Sequence, residues 1–286
     1  MANLKELRSR IKSVSSTMQI TSAMKMVSAA KLSKAQDAIQ SMRPYSEKLT
    51  ELLQSLSASL EGEQASPYGE QREVSKVLVV SIASNRGLAG AFNSNIIKAS
   101  KKLVEETYKG ADLDFITLGK KANDILSKDY NVIENNNEIF DALTYDNSAV
   151  IAEKLMQFFI EGTYDKIVLV YNQFVNAATQ KVATEQFLPI LPIESADEVA
   201  LDYIFEPSKE EIVEELIPKS LKVQFYKALR DSFASEHGAR MTAMHKATDN
   251  ATELRDSLKL SYNKARQASI TNEILEIVGG AEALNN

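Results

Sequence analysis

Cysteine and tryptophan are absent from the 286 residues, and only two histidines occur. Without a thiol there is no disulfide, no cysteine-bound zinc, no iron–sulfur cluster and no thiol nucleophile. His237 and His245 stand eight positions apart. On one helix that spacing turns them about 80° from each other, so they do not converge on one ion. Long apolar runs are missing too: the stretch Val77 to Ala83 is far short of the roughly 20 residues a membrane helix needs. No basic start followed by an apolar block and a small-residue cleavage site is visible, which predicts no secretory leader. Hydrophobic residues make up 44% and charged residues 25%, the balance of a folded chain rather than a disordered one. These absences point to a soluble protein of a reducing compartment. The length suggests two units or one large one.

The net charge of -6 is unevenly spread. Residues 1–60 carry +5, residues 61–218 carry -13, and residues 219–269 carry +5 again. Two basic ends enclosing an acidic centre imply that these segments face different partners.

Both ends read as long helices. Leu4, Leu7, Ile11, Val14 and Met18 recur at spacings of three and four, the rhythm of a coiled-coil seam. The rhythm resumes as Ala35, Ala38, Met42, Tyr45, Leu49, Leu52 and Leu56, which predicts a one-residue register shift near Met18 to Met24. Pro44 removes one donor and predicts a local kink. A helix of about 55 residues reaches roughly 80 Å, and its apolar stripe needs a partner. Met244, Ala247, Ala251, Leu254, Leu258, Ser261, Ala265, Ala268, Asn272 and Leu275 supply one. Pro218 fits either the first turn of this second helix or a break between two helices, and Gly279-Gly280 resembles its stop. The stripes would either pair with each other or pack on the middle of the chain. The first is too long for one small domain to cover, so an antiparallel pair is expected.

Between them, Gly62, Pro67 and Gly69 mark a linker over 61–75. Val77 to Ala83 is a β-branched run typical of a buried strand. Helices are expected over 94–108, 120–128 and 147–161, and strands over 113–118 and 166–171. Residues 179–188 read as an antiparallel edge strand, and Asn135-Asn136-Asn137 as a loop. Helices alternating with apolar strands imply βαβ units and a parallel sheet. The fold class is therefore α/β: a long antiparallel two-helix coiled coil plus a central Rossmann-like domain with a mainly parallel sheet. The expected segments are 1–60 (coiled-coil helix), 61–75 (linker), 76–205 (α/β domain) and 206–286 (coiled-coil helix pairing with 1–60).

Such a sheet invites a nucleotide, but the phosphate loop fails on residue type. Ser84-Asn85-Arg86-Gly87-Leu88-Ala89-Gly90 follows the first strand without the G-x-G-x-x-G spacing. Gly119-Lys120 has Asp114 where a P-loop requires its first glycine. Gly87 and Gly90 suit a tight turn or close backbone packing. Glu105-Glu106 and Glu210-Glu211 sit on helix faces, and no Ser/His/Asp arrangement emerges. No catalytic residue, metal ligand or cofactor is expected.

Three blocks carry a family resemblance. The first is Met1-Ala2-Asn3-Leu4-Lys5-Glu6-Leu7-Arg8-Ser9-Arg10-Ile11 with Thr21-Ser22-Ala23-Met24-Lys25-Met26-Val27. The second is Ser84 to Asn93. The third runs from Ser235-Glu236-His237-Gly238-Ala239-Arg240-Met241 to Tyr262-Asn263-Lys264-Ala265-Arg266-Gln267-Ala268-Ser269-Ile270-Thr271-Asn272-Glu273. In this order and at these distances they resemble the γ subunits of F-type ATP synthases over essentially the whole chain. Two departures, Asn85 where the family commonly has Asp and Ala89 where it commonly has Cys, bear on local turn packing.

The resemblance implies a central-stalk rotor that couples ion flow to ATP synthesis or hydrolysis, with no active site of its own. Its implied partners are the α and β subunits of the α3β3 ring, the ε subunit and the membrane c-ring, and no nucleic acid. It would be peripheral to the cytoplasmic face of a bacterial plasma membrane. Met24, Lys25, Arg266, Gln267, Thr271 and Glu273 match positions that contact a β subunit. Tyr203, Phe205 and Glu206 fall in the segment where ε and the c-ring bind. For Met24 a plain seam role, and for Arg266 a solvated helix face, are the bland alternatives. Gln267 and Thr271, four apart, would share one helix face. Two other classes compete with the rotor. A coiled-coil scaffold binding nucleic acid through its basic helices would show salt-dependent affinity, and a Rossmann-like enzyme would need the missing phosphate loop.

Overall fold

A computed structural model describes residues 4–59, 67–190 and 209–284. The elements are α1 (Leu4–Ser59), β1 (Lys76–Ile82), α2 (Phe92–Lys102), β2 (Asp112–Leu118), α3 (Lys120–Asp129), β3 (Asn131–Asn135), α4 (Tyr145–Ile160), β4 (Lys166–Phe174), β5 (Gln180–Leu188) and α5 (Lys209–Leu284). They form two compact units. One comprises residues 1–28 with 241–286, the other residues 29–240. Both long helices contribute to each unit.

The larger unit is built on a five-stranded sheet in the order β3-β2-β1-β4-β5. β1 pairs parallel with β2 and β4, β2 parallel with β3, and β5 antiparallel with β4 at the edge. The mainly parallel sheet and its antiparallel edge strand are as the sequence implied. β1 shows why its run is unbroken: alternate residues enter two separate cores. Leu78, Val80 and Ile82 join Leu155 and Phe159 of α4 and Leu221, Phe225 and Leu229 of α5 on one face. Val77 and Val79 join Ile96 of α2 and Ala122 and Leu126 of α3 on the other. A buried carboxylate, Asp114, accepts hydrogen bonds from Tyr164 (2.7 Å) and Asn131 (2.7 Å). Burial and that contact push the Tyr164 phenol up.

Several local expectations change. Residues 131–135 form a strand, whereas Asn135 was read as loop. β3 is a five-residue edge strand with asparagine at both ends and alternating half-exposure, so it lacks the apolar run that marks the others. The helix expected over 94–108 starts at Phe92 and passes into a π turn at Leu103–Thr107. Pro218 neither starts nor breaks a helix. It lies inside α5, where the cost of about 3 kcal/mol for an interior proline is offset by burial of Leu221, Val223 and Phe225 just beyond it. Gly279-Gly280 is not a stop either: α5 continues to Leu284, and neither glycine adopts the positive φ of a helix-ending residue.

The smaller unit is an antiparallel helix pair. Arg8 donates to the Tyr262 hydroxyl at 2.8 Å, Arg255 approaches the Met18 sulfur at 3.3 Å, and the Thr21 and Thr248 hydroxyls meet at 2.8 Å. On α1 the inward positions are Leu4, Leu7, Ile11, Val14, Met18, Thr21, Lys25 and Ser28, an unbroken heptad. The expected register shift does not occur. Within the larger unit α1 keeps the same spacing through Leu32, Ala35, Ile39, Met42, Ser46 and Leu49, while Tyr45 is exposed. Polar residues at Thr21, Lys25 and Ser28 hid the continuity. Side chains of Leu52 and Leu56 lie outside those described. On α5 the seam runs Met244, Thr248, Ala251, Arg255, Leu258, Tyr262, Ala265 and Ser269. Leu254, Ser261, Ala268, Asn272 and Leu275 point outward, contrary to expectation. Arg255 and Tyr262 bury their stems in the seam and keep their heads at its margin, a role that a purely apolar pattern overlooks.

Candidate functional site

The residues expected to contact a β subunit all fall in the smaller unit, at two levels. Met24 and Lys25 are half-buried on α1, within one turn of the Thr21–Thr248 contact. Arg266, Gln267, Thr271 and Glu273 are exposed on α5. They lie 18–25 residues beyond Thr248, or roughly 30 Å along the helix at its rise per residue. The structure therefore does not bring the two groups together. Thr271 turns its hydroxyl back to the Gln267 carbonyl (3.0 Å), and Ser269 donates to Glu273 (3.3 Å). These ties are local, which leaves the Gln267 amide and the Arg266 guanidinium presented outward. Every residue from Ile270 to Ala281 is exposed, including Ile274, Leu275, Ile277 and Val278. Tyr203, Phe205 and Glu206 lie outside the described residues.

A second cluster, in the larger unit, joins the loop after β1 to residues 235–240 of α5. The chain turns back at β1, with β2 and β3 on one side and β4 and β5 on the other. In open α/β sheets the crevice beyond the carboxyl ends of such strands is where ligands sit. Here α5 fills it. Ser235 donates to the Asn172 carbonyl at 2.9 Å. A Cβ at Gly238 would stand 3.0 Å from the Ala177 carbonyl oxygen, so a larger residue would have to push that backbone away by a few tenths of an ångström. Arg240 donates to the Gly87 and Arg86 carbonyls and pairs with Glu236 at 2.5 Å. Ala239 packs with Ala89 and Phe92.

The loop that meets it is itself fixed. Ser84 and Asn93 hydrogen-bond across its neck, and Leu88 and Gly90 take positive φ. Asn85 bridges the Asn137 carbonyl and the Lys120 amide. Gly119 is also explained: a Cβ there would lie 2.3 Å from the Ala83 carbonyl oxygen. The Gly-Lys pair thus serves close strand–helix packing.

Electrostatics mark the same place. Burial pushes the Glu236 carboxyl up, although Arg240 pulls it back. His237 is lowered to about 4, first by burial and then by Lys31 and Arg240. Its ring stands edge-on to Phe233 at 4.5 Å, and neither nitrogen has a hydrogen-bond partner. The signal available in the sequence was Glu236 and Arg240, four apart in a run of small residues. Small residues on a helix let another backbone approach closely, which is the packing that surrounds this pair. Among the described residues no group of three or more His, Cys, Asp or Glu could hold a metal ion, and no helix is long and apolar enough to cross a membrane.

The family model described as ATP synthase matches residues 3–284. The ATP synthase gamma chain of Christiangramia forsetii is 73% identical over 285 residues, covering 100% of each chain, and that of Flavobacterium psychrophilum is 70% identical over 99% of each. This chain belongs to the ATP synthase gamma chain family. Its fold is that of central stalks. A chain of the Euglena gracilis mitochondrial ATP synthase superposes with a TM-score of 0.72 over 98% of this chain and 94% of that one, at 23% identity. A chain from the central stalk and c-ring of the Tetrahymena thermophila mitochondrial enzyme gives 0.59 over 80% and 99%, at 25% identity. As a family member the chain is a subunit of a larger complex. That membership accounts for a sheet whose usual ligand crevice holds a helix.

Proposed function

We propose that this chain is the rotating shaft of an F-type ATP synthase. It transmits torque between a membrane c-ring and an α3β3 ring, couples ion flow to ATP synthesis or hydrolysis, and binds no nucleotide itself. The observation that carries this reading is the smaller unit. It is a two-helix rod with a continuous heptad seam, and its α5 extends past the start of α1 with an apolar surface bare of any partner. A close-packed pair of helices resists twisting, and a smooth apolar end can turn against a ring without locking.

In this reading Met24 and Lys25 meet a β subunit at one level, and Arg266, Gln267, Thr271 and Glu273 meet a β-subunit loop at another. Basic residues on the rod attract acidic surfaces of the ring and so position it without a fixed partner. Tyr203, Phe205 and Glu206 belong to the foot that binds ε and the c-ring. The complex is then peripheral to the cytoplasmic face of the bacterial plasma membrane through those contacts.

The test is assembly of the full chain with α and β subunits of the Flavobacterium relative, followed by a rotation assay with the ring fixed to a surface. Rotation of a probe on this chain during ATP hydrolysis is expected. A stable complex that hydrolyses ATP while the probe stays still overturns the reading, as does tight stoichiometric ATP binding to the chain alone.

A further inference from the structure

We infer that the crevice at the carboxyl ends of β1 and β4 is a torsional grip on α5, with Ser235, Gly238 and Arg240 as its positioning residues. The inference rests on the rotor reading and says where torque passes between sheet and helix.

The geometry is specific. At about 100° of turn per residue, Gly238, Ser235, Ala239 and Arg240 contact the sheet-end loops over an arc of roughly 200°. A helix packed by one stripe meets its support over only about 100° and can roll by repacking side chains. A helix embraced over more than half its circumference cannot. The grip is also stiff in kind. Gly238 meets Ala177 backbone to backbone, and Arg240 reaches two main-chain carbonyls of a loop whose own neck is tied by Ser84 and Asn93. Asn172, which receives Ser235, in turn donates to the Phe92 carbonyl at 3.2 Å, linking β4 to the start of α2. From Asp231 to Arg240 no residue is exposed. What this fold elsewhere reserves for a ligand here clamps a shaft.

The chain has no cysteine, so Val150→Cys on the exposed face of α4 gives a single labelling site on the sheet. With the ring of the assembled α–β complex fixed and turnover stalled, the angular variance of a probe at that site reports torsional stiffness. Arg240→Met removes both side-chain hydrogen bonds to the loop carbonyls while the Ser235 bond and the Gly238 contact remain, so stiffness should fall and the angular variance of the probe should rise. Arg240→Lys, which keeps charge but not the fork, should fall between. ATP hydrolysis by the ring should change less than about twofold, because no substrate contact is altered. Arg240→Met also leaves Glu236 buried without its cation. Should that variant fail to assemble, Ser235→Ala decides the matter, with a smaller rise in variance expected. Unchanged variance in the assembled variants overturns the grip while leaving rotation intact. A wild-type probe that never steps round under ATP overturns the rotor reading and the grip with it.

Discussion

Two stretches of α5 stand in opposite environments. Between Leu221 and Arg240 the helix has no exposed residue; between Ile270 and Ala281 it has no buried one. Composition does not follow environment. The enclosed stretch holds Lys222, Lys227, Arg230, Asp231, Glu236, His237 and Arg240, while the bare one holds Ile270, Ile274, Leu275, Ile277 and Val278. Two of these charges are paired, Lys222 with Glu153 at 2.5 Å and Arg240 with Glu236, so their burial is compensated. At the other end Ile270, Ile274, Leu275, Ile277 and Val278 are uncovered among the described residues. Enclosure is settled by what lies alongside, not by residue type.

The contrast is sharpest in truncation of large apolar groups. Phe225 is fully buried among Leu78, Phe187 and their neighbours, and Phe225→Ala should cost about 3–5 kcal/mol of stability. Leu275→Ala should stay within about 0.5 kcal/mol for the isolated chain. Urea midpoints of the two variants measure the difference, and a comparable loss at Leu275 would mean that the bare end packs within the chain. Glycine gives the next largest step. Gly238→Val drives a branched side chain into the Ala177 backbone and should cost roughly 1–3 kcal/mol. Gly279, with nothing within 4 Å, should accept valine at about 0.5 kcal/mol or less. Equal losses at both glycines would remove the distinction between held and free helix.

Acid should loosen the held stretch first. His237 titrates near 4 in the folded chain against about 6.5 when unfolded. Between those values the unfolded state binds the extra proton, so the contribution of neutral His237 is present above pH 6.5 and lost as pH falls toward 4. The loss is about 3 kcal/mol by pH 4. Glu236 acts in the opposite sense. Its raised folded value lets the folded state keep a proton just above the ordinary carboxyl range, which offsets part of the slope. Lys31 and Arg240 face both members of the pair, and Arg86 faces Glu236. Stability measured from pH 7 to 4.5 should therefore fall in the wild type and fall less in His237→Phe. Parallel curves would show that His237 carries no linkage.

How much of this was readable beforehand follows the same division. The sheet was legible because parallel strands buried on both faces write themselves as β-branched runs, as β1 and β4 do. β3, an edge strand ending in asparagines, wrote nothing. The helix pairing was legible from Leu4 to Met18, where inward positions are apolar. It was misread from Thr21 to Ser28 and again at Arg255 and Tyr262, where seam positions hold polar or amphipathic residues. The clamp around Arg240 was invisible for another reason. It is made of main-chain carbonyls from β1 and β4 loops more than 60 positions away, and main-chain acceptors have no residue code.

The smallest effect on the isolated chain should coincide with a clear one on the complex. Gln267 and Thr271 occupy one exposed face of α5, and their only recorded tie is the local bond from the Thr271 hydroxyl. Gln267→Leu with Thr271→Val keeps size and helix periodicity, so the folded chain should shift by no more than about 0.5 kcal/mol. If the two side chains hydrogen-bond a β-subunit loop during rotation, the complex loses two such bonds at about 0.5–1.5 kcal/mol each. ATP turnover of the assembled ring should then slow by about tenfold, given that 1.4 kcal/mol corresponds to one decade. Equal turnover in mutant and wild-type complexes would show that this face is solvated rather than engaged. The bare end of α5 would then bear on the ring through Ile274, Leu275, Ile277 and Val278 alone.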